Sequence, residues 1–78
     1  MSLIIDVRSR EEFKQDHAEG TINIPLEEFE DYVKTLDKNT NIEIVCRSGK
    51  RAGQALFICI KNNLVNSKNG GSYLNLKR

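Results

Sequence analysis

Cys46 is the residue of this chain for which the sequence predicts chemistry. Residues 42–45 before it read Ile-Glu-Ile-Val, as in a short buried strand, and residues 47–51 after it read Arg-Ser-Gly-Lys-Arg. The sulfur is therefore followed by three cationic side chains and by a loop that leads into a helix, whose N–H groups favour a bound anion. Both effects favour thiolate over thiol and lower the thiol pKa, so we expect a nucleophilic cysteine. The alternative is an ordinary cysteine at a strand end beside a solvated basic turn.

The composition indicates one globular domain. The chain has 78 residues, of which 29% are charged and 38% hydrophobic, and we expect a single domain over residues 1–78. Residues 1–42 carry ten acidic and five basic side chains, whereas residues 43–78 carry one acidic and seven basic side chains. The basic half contains the Cys46 segment, which favours small anionic substrates there.

Several classes of function are disfavoured. Cys46, Cys59 and the single histidine, His17, do not have zinc-ligand spacing, so we expect no metal and no cofactor, and a disulfide scaffold is not favoured. The aromatic residues show no stacking pattern for nucleic acid, and no stretch approaches the roughly 18 apolar residues of a membrane span. We expect neither nucleic acid nor membrane as a partner. Without a secretory signal at the N-terminus, the expected compartment is the cytoplasm, or the periplasm if a leader has been removed.

The first half of the chain predicts two strand–helix units. Residues 3–7 form an apolar run for a strand, and Ser9 with Glu12 forms a capping box that opens a helix over residues 10–16. An extended segment at residues 22–24 precedes Pro25, which suits the first turn of a second helix. The apolar positions of that helix are Leu26, Phe29, Val33 and Leu36.

The second half predicts a strand over residues 42–45 and a helix over residues 50–62. Leu64 and Val65 are expected to begin a last strand. Gly70-Gly71 is expected to form a turn, and Ser72 is expected to cap a final helical turn. This alternation predicts an α/β fold with a small, largely parallel sheet flanked by helices. Cys46 then lies at the carboxyl end of a strand, where such sheets bind ligands.

Four segments, taken in order, resemble a known family, the single-domain rhodaneses or thiosulfate sulfurtransferases. They are Ile5-Asp6-Val7-Arg8 with Glu12-Phe13, then residues 17–25, then Ile44-Val45-Cys46 with Gly49 and Arg51, and then Gly70-Gly71. The likeness extends over residues 4–71 and is closest to the small stress-associated type around residues 46–55. The chain lacks an additional strand and helix before Leu3 and a tryptophan after the paired glycines, which implies a minimal or truncated domain.

The resemblance implies that Cys46 takes a sulfane sulfur from a donor such as thiosulfate and passes it, as a persulfide, to cyanide or a thiol. A protein acceptor is also open. The residues expected to bind the substrate are Arg47, Ser48, Gly49, Lys50 and Arg51. Their N–H groups would stabilise the developing negative charge, and Arg47 and Lys50 would orient the sulfonate. Gly49 would allow the loop to curl with a positive φ.

The resemblance also implies supporting roles. Arg51 is expected to pair with Asp6, although a substrate-facing position is the alternative, and Arg8 is expected to reach the following helix. His17 is expected to be a hydrogen-bonded turn residue rather than a general base, and Cys59 a small hydrophobe of the helix.

Three other functions compete with a sulfurtransferase. A cysteine phosphatase of the same fold needs arginine at the sixth position after the cysteine, where this chain has Ala52, and Arg51 comes one residue too early. An arsenate reductase has the same misfit and lacks an obvious resolving cysteine. A non-catalytic persulfide carrier or regulatory module would use the same loop.

Overall fold

Four parallel strands form one sheet in the order β2-β1-β3-β4 in the computed structural model, which describes residues 2–77. The elements are β1 (Ser2–Asp6), α1 (Arg10–Gln15), β2 (Ile22–Asn23), α2 (Leu26–Val33), β3 (Asn41–Cys46), α3 (Lys50–Lys61), β4 (Ser67–Ser72) and a 3₁₀ helix over Tyr73–Leu76. The predicted α/β fold with a largely parallel sheet flanked by helices is confirmed.

The predicted starts of α1 and α2 agree with the structure. The Ser9 hydroxyl accepts from the Glu12 N–H at 3.2 Å, and the Glu12 carboxylate accepts from the Ser9 N–H at 3.0 Å, which completes the capping box. Pro25 is the N-cap of α2, one residue before the first helical position. This helix ends at Val33, so the predicted helical position of Leu36 is wrong, although Leu36 still packs against the core.

The main core lies between the sheet and the pair α2 and α3. Alternate side chains of a strand point to one face, and Ile5 and Val7 of the β1 segment lie with Ile42 and Ile44 of β3 in one buried cluster. From the helices, the same cluster includes Phe29, Val33, Ala52, Ala55 and Cys59. The connection through α1 runs along the sheet in one direction, and the connection through α2 runs in the other. Because such connections are right-handed, α1 lies on the face of the sheet opposite to α2 and α3.

A buried ion pair closes that opposite face near the carboxyl ends of the strands. Asp6 and Arg8 are 0% and 2% exposed, and their Oδ2 and Nη2 atoms lie 2.8 Å apart. Arg8 also donates to the Asp16 carbonyl oxygen at 2.7 Å, and its guanidinium carbon lies 3.7 Å from the Tyr73 ring centroid. The Tyr73 hydroxyl donates to the Asp16 carboxylate at 2.9 Å, so the 3₁₀ helix is held against the end of α1.

The last strand differs from its prediction. Leu64 is a buried core residue and Val65 is exposed, and β4 begins only at Ser67. Gly70 and Gly71 therefore lie in a strand, not in a turn. Ile44 pairs with Asn69 and Val45 with Gly71, so Gly70 is the extra residue of a β-bulge. The polar sequence of β4 has no alternating pattern, so its pairing with β3 is apparent only from the fold.

Ser72 caps the 3₁₀ helix by accepting from the Leu74 N–H, which confirms the predicted final helical turn. Within residues 2–77, no helix has both the length and the apolar character required to cross a membrane.

Candidate active site

Cys46 is the last residue of β3, and a three-residue loop separates it from α3, which begins at Lys50. The chain leaves β1 toward β2 on one side of the sheet, and it leaves β3 toward β4 on the other side. The direction of the connections therefore reverses between the neighbouring strands β1 and β3. Ligands of parallel sheets bind at this switch point, outside the carboxyl ends of the strands. Gly49 is the N-cap of α3 and has a φ of 96°, a left-handed conformation that glycine adopts without strain.

The Cys46 sulfur lies inside a group of backbone N–H donors. Its Sγ accepts from the Gly49 N–H at 2.9 Å and from the Ala52 N–H at 3.4 Å, and the residue is only 1% exposed. Burial raises the pKa of the Cys46 thiol, but the N–H groups of Ala52, Gly49, Ser48 and Arg51 outweigh burial and bring the pKa below its ordinary value. The geometry therefore favours a thiolate that is ready to act as a nucleophile.

Of the two effects expected to lower this pKa, the backbone donors are the larger. The largest lowering influences on Cys46 are hydrogen bonds from backbone N–H groups rather than charges of side chains. Arg47, Ser48 and Lys50 are exposed at the rim of the loop. Their side chains can meet an anion that approaches the sulfur from solvent.

The predicted pairing of Arg51 with Asp6 is wrong. Arg51 donates to both carboxylate oxygens of Glu12, at 2.7 and 3.0 Å, and Asp6 is held by Arg8 instead. Asp6 and Arg8 lie two residues apart and point to the same side of the chain, so the buried carboxylate is satisfied locally. Both hydrogen bonds of the Arg51 guanidinium group in the structure are therefore made to α1.

The Glu12 carboxylate joins two elements. It closes the capping box of α1 and binds Arg51 at the start of α3. The side-chain hydrogen bonds from Arg51, with the N–H of Ser9, lower the pKa of Glu12 to about 2. The sequence indicated only the capping role. The signal for the second role was that α1 and the Cys46 loop both start from carboxyl ends of neighbouring strands.

Comparison with known proteins identifies the family of this chain. Residues 1–75 match the rhodanese-like domain family. The chain belongs to that family. It is similar to a rhodanese with anions from E. coli, with a TM-score of 0.87 and 32% identity, covering 96% of this chain and 91% of that one.

Two relatives, named as a sulfurtransferase and a putative sulfur carrier, are similar in sequence to this rhodanese-like domain. Thiosulfate sulfurtransferase PspE of Escherichia coli (strain K12) is 38% identical over 69 residues, which are 86% of this chain and 66% of that protein. The putative sulfur carrier protein YrkF of Bacillus subtilis (strain 168) is 42% identical over 52 residues, which are 67% of this chain and 28% of that protein. The chain thus spans only part of the length of both relatives.

Arg8 of the rhodanese-like domain reaches the end of α1 through the Asp16 carbonyl, as expected. His17 is exposed and lies after the end of α1, before the turn at residues 19–20. Its ring stacks on Phe13 with centroids 3.9 Å apart, and its Nδ1 lies 2.8 Å from the Phe13 carbonyl oxygen, so it is hydrogen-bonded as predicted but is not itself a turn residue. Cys59 is fully buried, and this burial raises the pKa of its thiol. Neither side chain hydrogen-bonds to the Cys46 sulfur within the described part of the chain.

Asn69 is a contact of the site that sequence reasoning missed. Its side chain on β4 donates to the carbonyl oxygen of Gly49 at 3.0 Å. Because a turn was predicted at Gly70-Gly71, this segment was not expected to lie in the sheet. A polar strand has no hydrophobic periodicity from which it could have been recognised.

Proposed function

We propose that this protein is a sulfurtransferase that moves a sulfane sulfur from thiosulfate, or a similar donor, to cyanide or a thiol through a persulfide on Cys46. The Cys46 thiolate attacks the outer sulfur of thiosulfate, a new S–S bond forms, the donor S–S bond breaks, and sulfite leaves with the electron pair. Cyanide then attacks the outer sulfur of the persulfide, which gives thiocyanate and restores the thiolate.

The observation that carries this proposal is the set of N–H donors on the Cys46 sulfur. Gly49 and Ala52 donate directly to Sγ, and both thiolate and persulfide bear negative charge that such donors stabilise. In enzymes that use similar donors, the loss of one typically costs about 3 kcal/mol of transition-state stabilisation. The likeness to thiosulfate sulfurtransferase PspE supports the same chemistry.

The proposal assigns the sulfonate end of the donor to Arg47 and Lys50. Both side chains are exposed beside the loop, and neither is in an ion pair among residues 2–77. Arginine can bind a sulfonate through two parallel hydrogen bonds, whereas lysine supplies a point charge. The mutual repulsion of the thiolate and the anionic donor is thereby offset.

A sulfur carrier is the second candidate, and the likeness to putative sulfur carrier protein YrkF favours it. In that function, Cys46 holds the same persulfide, but the acceptor is a thiol of a protein and turnover with cyanide is slow.

The phosphatase and arsenate reductase alternatives are less consistent with the site. Glu12 binds Arg51, so this guanidinium is not directed at an oxyanion above Cys46. Ala52 is the sixth residue after the cysteine, and its backbone nitrogen lies 3.4 Å from the Cys46 sulfur. This short distance indicates a narrow loop. Burial raises the pKa of the Cys59 thiol, which disfavours the thiolate that a resolving cysteine needs.

Intact-mass measurement tests the proposal. Incubation with thiosulfate should add about 32 Da, the mass of one sulfur, and cyanide should remove that mass and release thiocyanate. Cys46→Ser should abolish the added mass with little change in Tm, because the serine oxygen can also accept hydrogen bonds and the side chain has nearly the same volume. Cys59→Ser is the matched control and should still load sulfur. Loading of Cys46→Ser, or no loading of the wild type by several sulfane donors, would contradict the proposal.

Turnover separates the two candidates. Repeated thiocyanate release with excess thiosulfate and cyanide identifies an enzyme, whereas a single sulfur released per chain identifies a carrier. Hydrolysis of para-nitrophenyl phosphate that depends on Cys46 would favour a phosphatase instead.

A further inference from the structure

The Asn69 side chain bridges β4 and the loop that follows Cys46. Its Nδ2 donates to the Gly49 carbonyl oxygen at 3.0 Å, and its Oδ1 accepts from the Gly71 N–H at 2.8 Å. The opposite orientation of the amide would place Nδ2 against an N–H and Oδ1 against a carbonyl. Both contacts therefore define one orientation, in which the donor faces the loop.

Two glycines, Gly49 and Gly53, pack against the Asn69 bridge. A Cβ atom at Gly49 would lie 3.4 Å from the Gly71 Cα and 3.8 Å from the Asn69 Oδ1. A Cβ atom at Gly53 would lie 3.5 Å from the Asn69 Nδ2. The bulge at Gly70 follows directly after Asn69, and Gly71 has a φ of 78°, so the local backbone turns the Gly71 N–H toward the Asn69 side chain.

Gly49 connects this bridge to the reactive sulfur. Its N–H donates to the Cys46 Sγ at 2.9 Å, while its carbonyl oxygen accepts from Asn69 and from the Gly53 N–H. Gly49 has a left-handed conformation and no side chain of its own to fix it, so its orientation depends on such contacts. A donor from β4 on its carbonyl limits the rotation that would turn its N–H away from the sulfur.

We propose that Asn69 is a positioning residue that holds Gly49 so that the N–H groups of the loop remain directed at the Cys46 sulfur. Asn69 does not hydrogen-bond to the sulfur itself and acts through Gly49. The position of the loop is thus determined in part by the edge strand of the sheet. Only the activity readout of this inference rests on the proposed function, because the state of the thiol is measurable without any sulfur donor.

Substitution of Asn69 leaves the charges around Cys46 unchanged. The charged groups near the sulfur are Arg47 and Lys50 of the loop and Arg51 with its partner Glu12. The pair Asp6 and Arg8 lies at the end of the neighbouring strand β1. Because Asn69 is neutral, a change in the titration of Cys46 in Asn69→Ala or Asn69→Leu reports a change in geometry.

The experiment measures the rate at which iodoacetamide alkylates Cys46 as a function of pH, with the site mapped by mass spectrometry. We expect the apparent pKa of Cys46 to rise by about half a unit to one unit in Asn69→Ala and Asn69→Leu. Below the wild-type midpoint, alkylation should then be about three to ten times slower. At alkaline pH the rates should converge with the wild-type rate or slightly exceed it, since a more basic thiolate is somewhat more nucleophilic.

Asn66→Ala is the matched control. Asn66 is also an exposed, neutral residue whose side chain donates to a backbone carbonyl, that of Asn39. A purely structural loss of one exposed hydrogen bond would lower Tm in both variants, but only the Asn69 variants should change the pH profile of Cys46. All profiles are recorded at temperatures where circular dichroism shows each variant to be folded.

The inference is overturned if the Asn69 variants have the wild-type profile, or if Asn66→Ala changes the profile equally. Sulfur loading from thiosulfate, measured in parallel, distinguishes the two proposals. Wild-type loading with unchanged Asn69 profiles contradicts the positioning role alone. A changed profile in a protein that loads no sulfur contradicts the proposed function alone.

Discussion

Cys46 derives its expected reactivity mainly from peptide N–H groups. The sequence places Arg47, Lys50 and Arg51 close to the sulfur, in a loop whose N–H groups point toward it, and both features were expected to lower the thiol pKa. In the structure, Gly49 and Ala52 donate to the sulfur through their backbones, and Arg51 is engaged by Glu12. Backbone donors are fixed by the fold, so this activation does not depend on the rotamers of exposed side chains.

The two cysteines are predicted to differ sharply in reactivity. N–H donors lower the pKa of Cys46, whereas burial raises the pKa of Cys59. We expect iodoacetamide near pH 7 to modify Cys46 at least about ten times faster than Cys59, as judged from peptide mass mapping. In denaturant both cysteines should react at similar rates. Equal rates in the folded protein would contradict the environment assigned to Cys46.

The loop between β3 and α3 depends on a backbone conformation that few residues adopt. Gly49 has a φ of 96° and lies against Gly71, whereas Gly53 is inside α3 with a helical backbone. These two glycines, four residues apart, are therefore under opposite constraints.

Paired substitutions test this difference by urea denaturation. Gly49→Ala should lower the free energy of unfolding by about 1–2 kcal/mol, because a Cβ atom is strained in the left-handed region. Gly53→Ala should raise it by up to about 1 kcal/mol, because alanine favours the helix and the new Cβ atom makes an ordinary contact. Gly49→Ala should also slow the alkylation of Cys46 near neutral pH. Destabilisation of similar size in both variants would contradict the assigned conformations.

Contacts distant in sequence connect the Cys46 loop and its neighbouring elements to the remainder of the molecule. Glu12 of α1 binds Arg51, Asn69 of β4 binds Gly49, and Asp16 receives the Tyr73 hydroxyl. The first two contacts meet the loop from elements on either side of it. Loss of tertiary packing should therefore abolish the activation of Cys46 together with the fold.

Acid is predicted to destabilise the protein through its paired carboxylates. Hydrogen bonds from Arg51 to Glu12, from Lys77 to Asp16 and from Asn62 to Glu30 are the main causes that lower the pKa of these carboxyl groups in the folded state. Groups with a lowered pKa stabilise the fold above their unfolded pKa, and this stabilisation is lost as pH falls. For Glu12, the loss should extend from about pH 4.5 down to about pH 2.

Glu12→Gln isolates that contribution, because glutamine also completes a capping box. The pair with Arg51 is partly exposed, so we expect a loss of at most about 1 kcal/mol at pH 7. The variant and the wild type should converge in stability as the pH approaches 2, measured by urea denaturation at each pH. Glu11→Gln is the control, an exposed residue of the same turn, and should change the stability little. A Glu12→Gln deficit that is independent of pH would contradict the role of the ion pair.

Local patterns were enough to predict most elements and to indicate Cys46 as the candidate nucleophile. The capping box at Ser9, the apolar run before Cys46 and the helix after it each depend on residues close together in sequence. The position of Cys46 at a carboxyl strand end follows from the alternation of strands and helices alone.

The partners of the charged and polar side chains followed only from the tertiary structure. Asp6 could pair with any nearby cation, and the choice of Arg8 over Arg51 depends on how the end of β1 is oriented relative to α3. β4 is recognisable only beside β3, since its polar residues have no periodicity and its pairing is completed by a bulge. Propensity and hydrophobic period act over a few residues, whereas ion pairs, strand pairing and the contact of Asn69 with Gly49 depend on distances that exist only after the chain has folded.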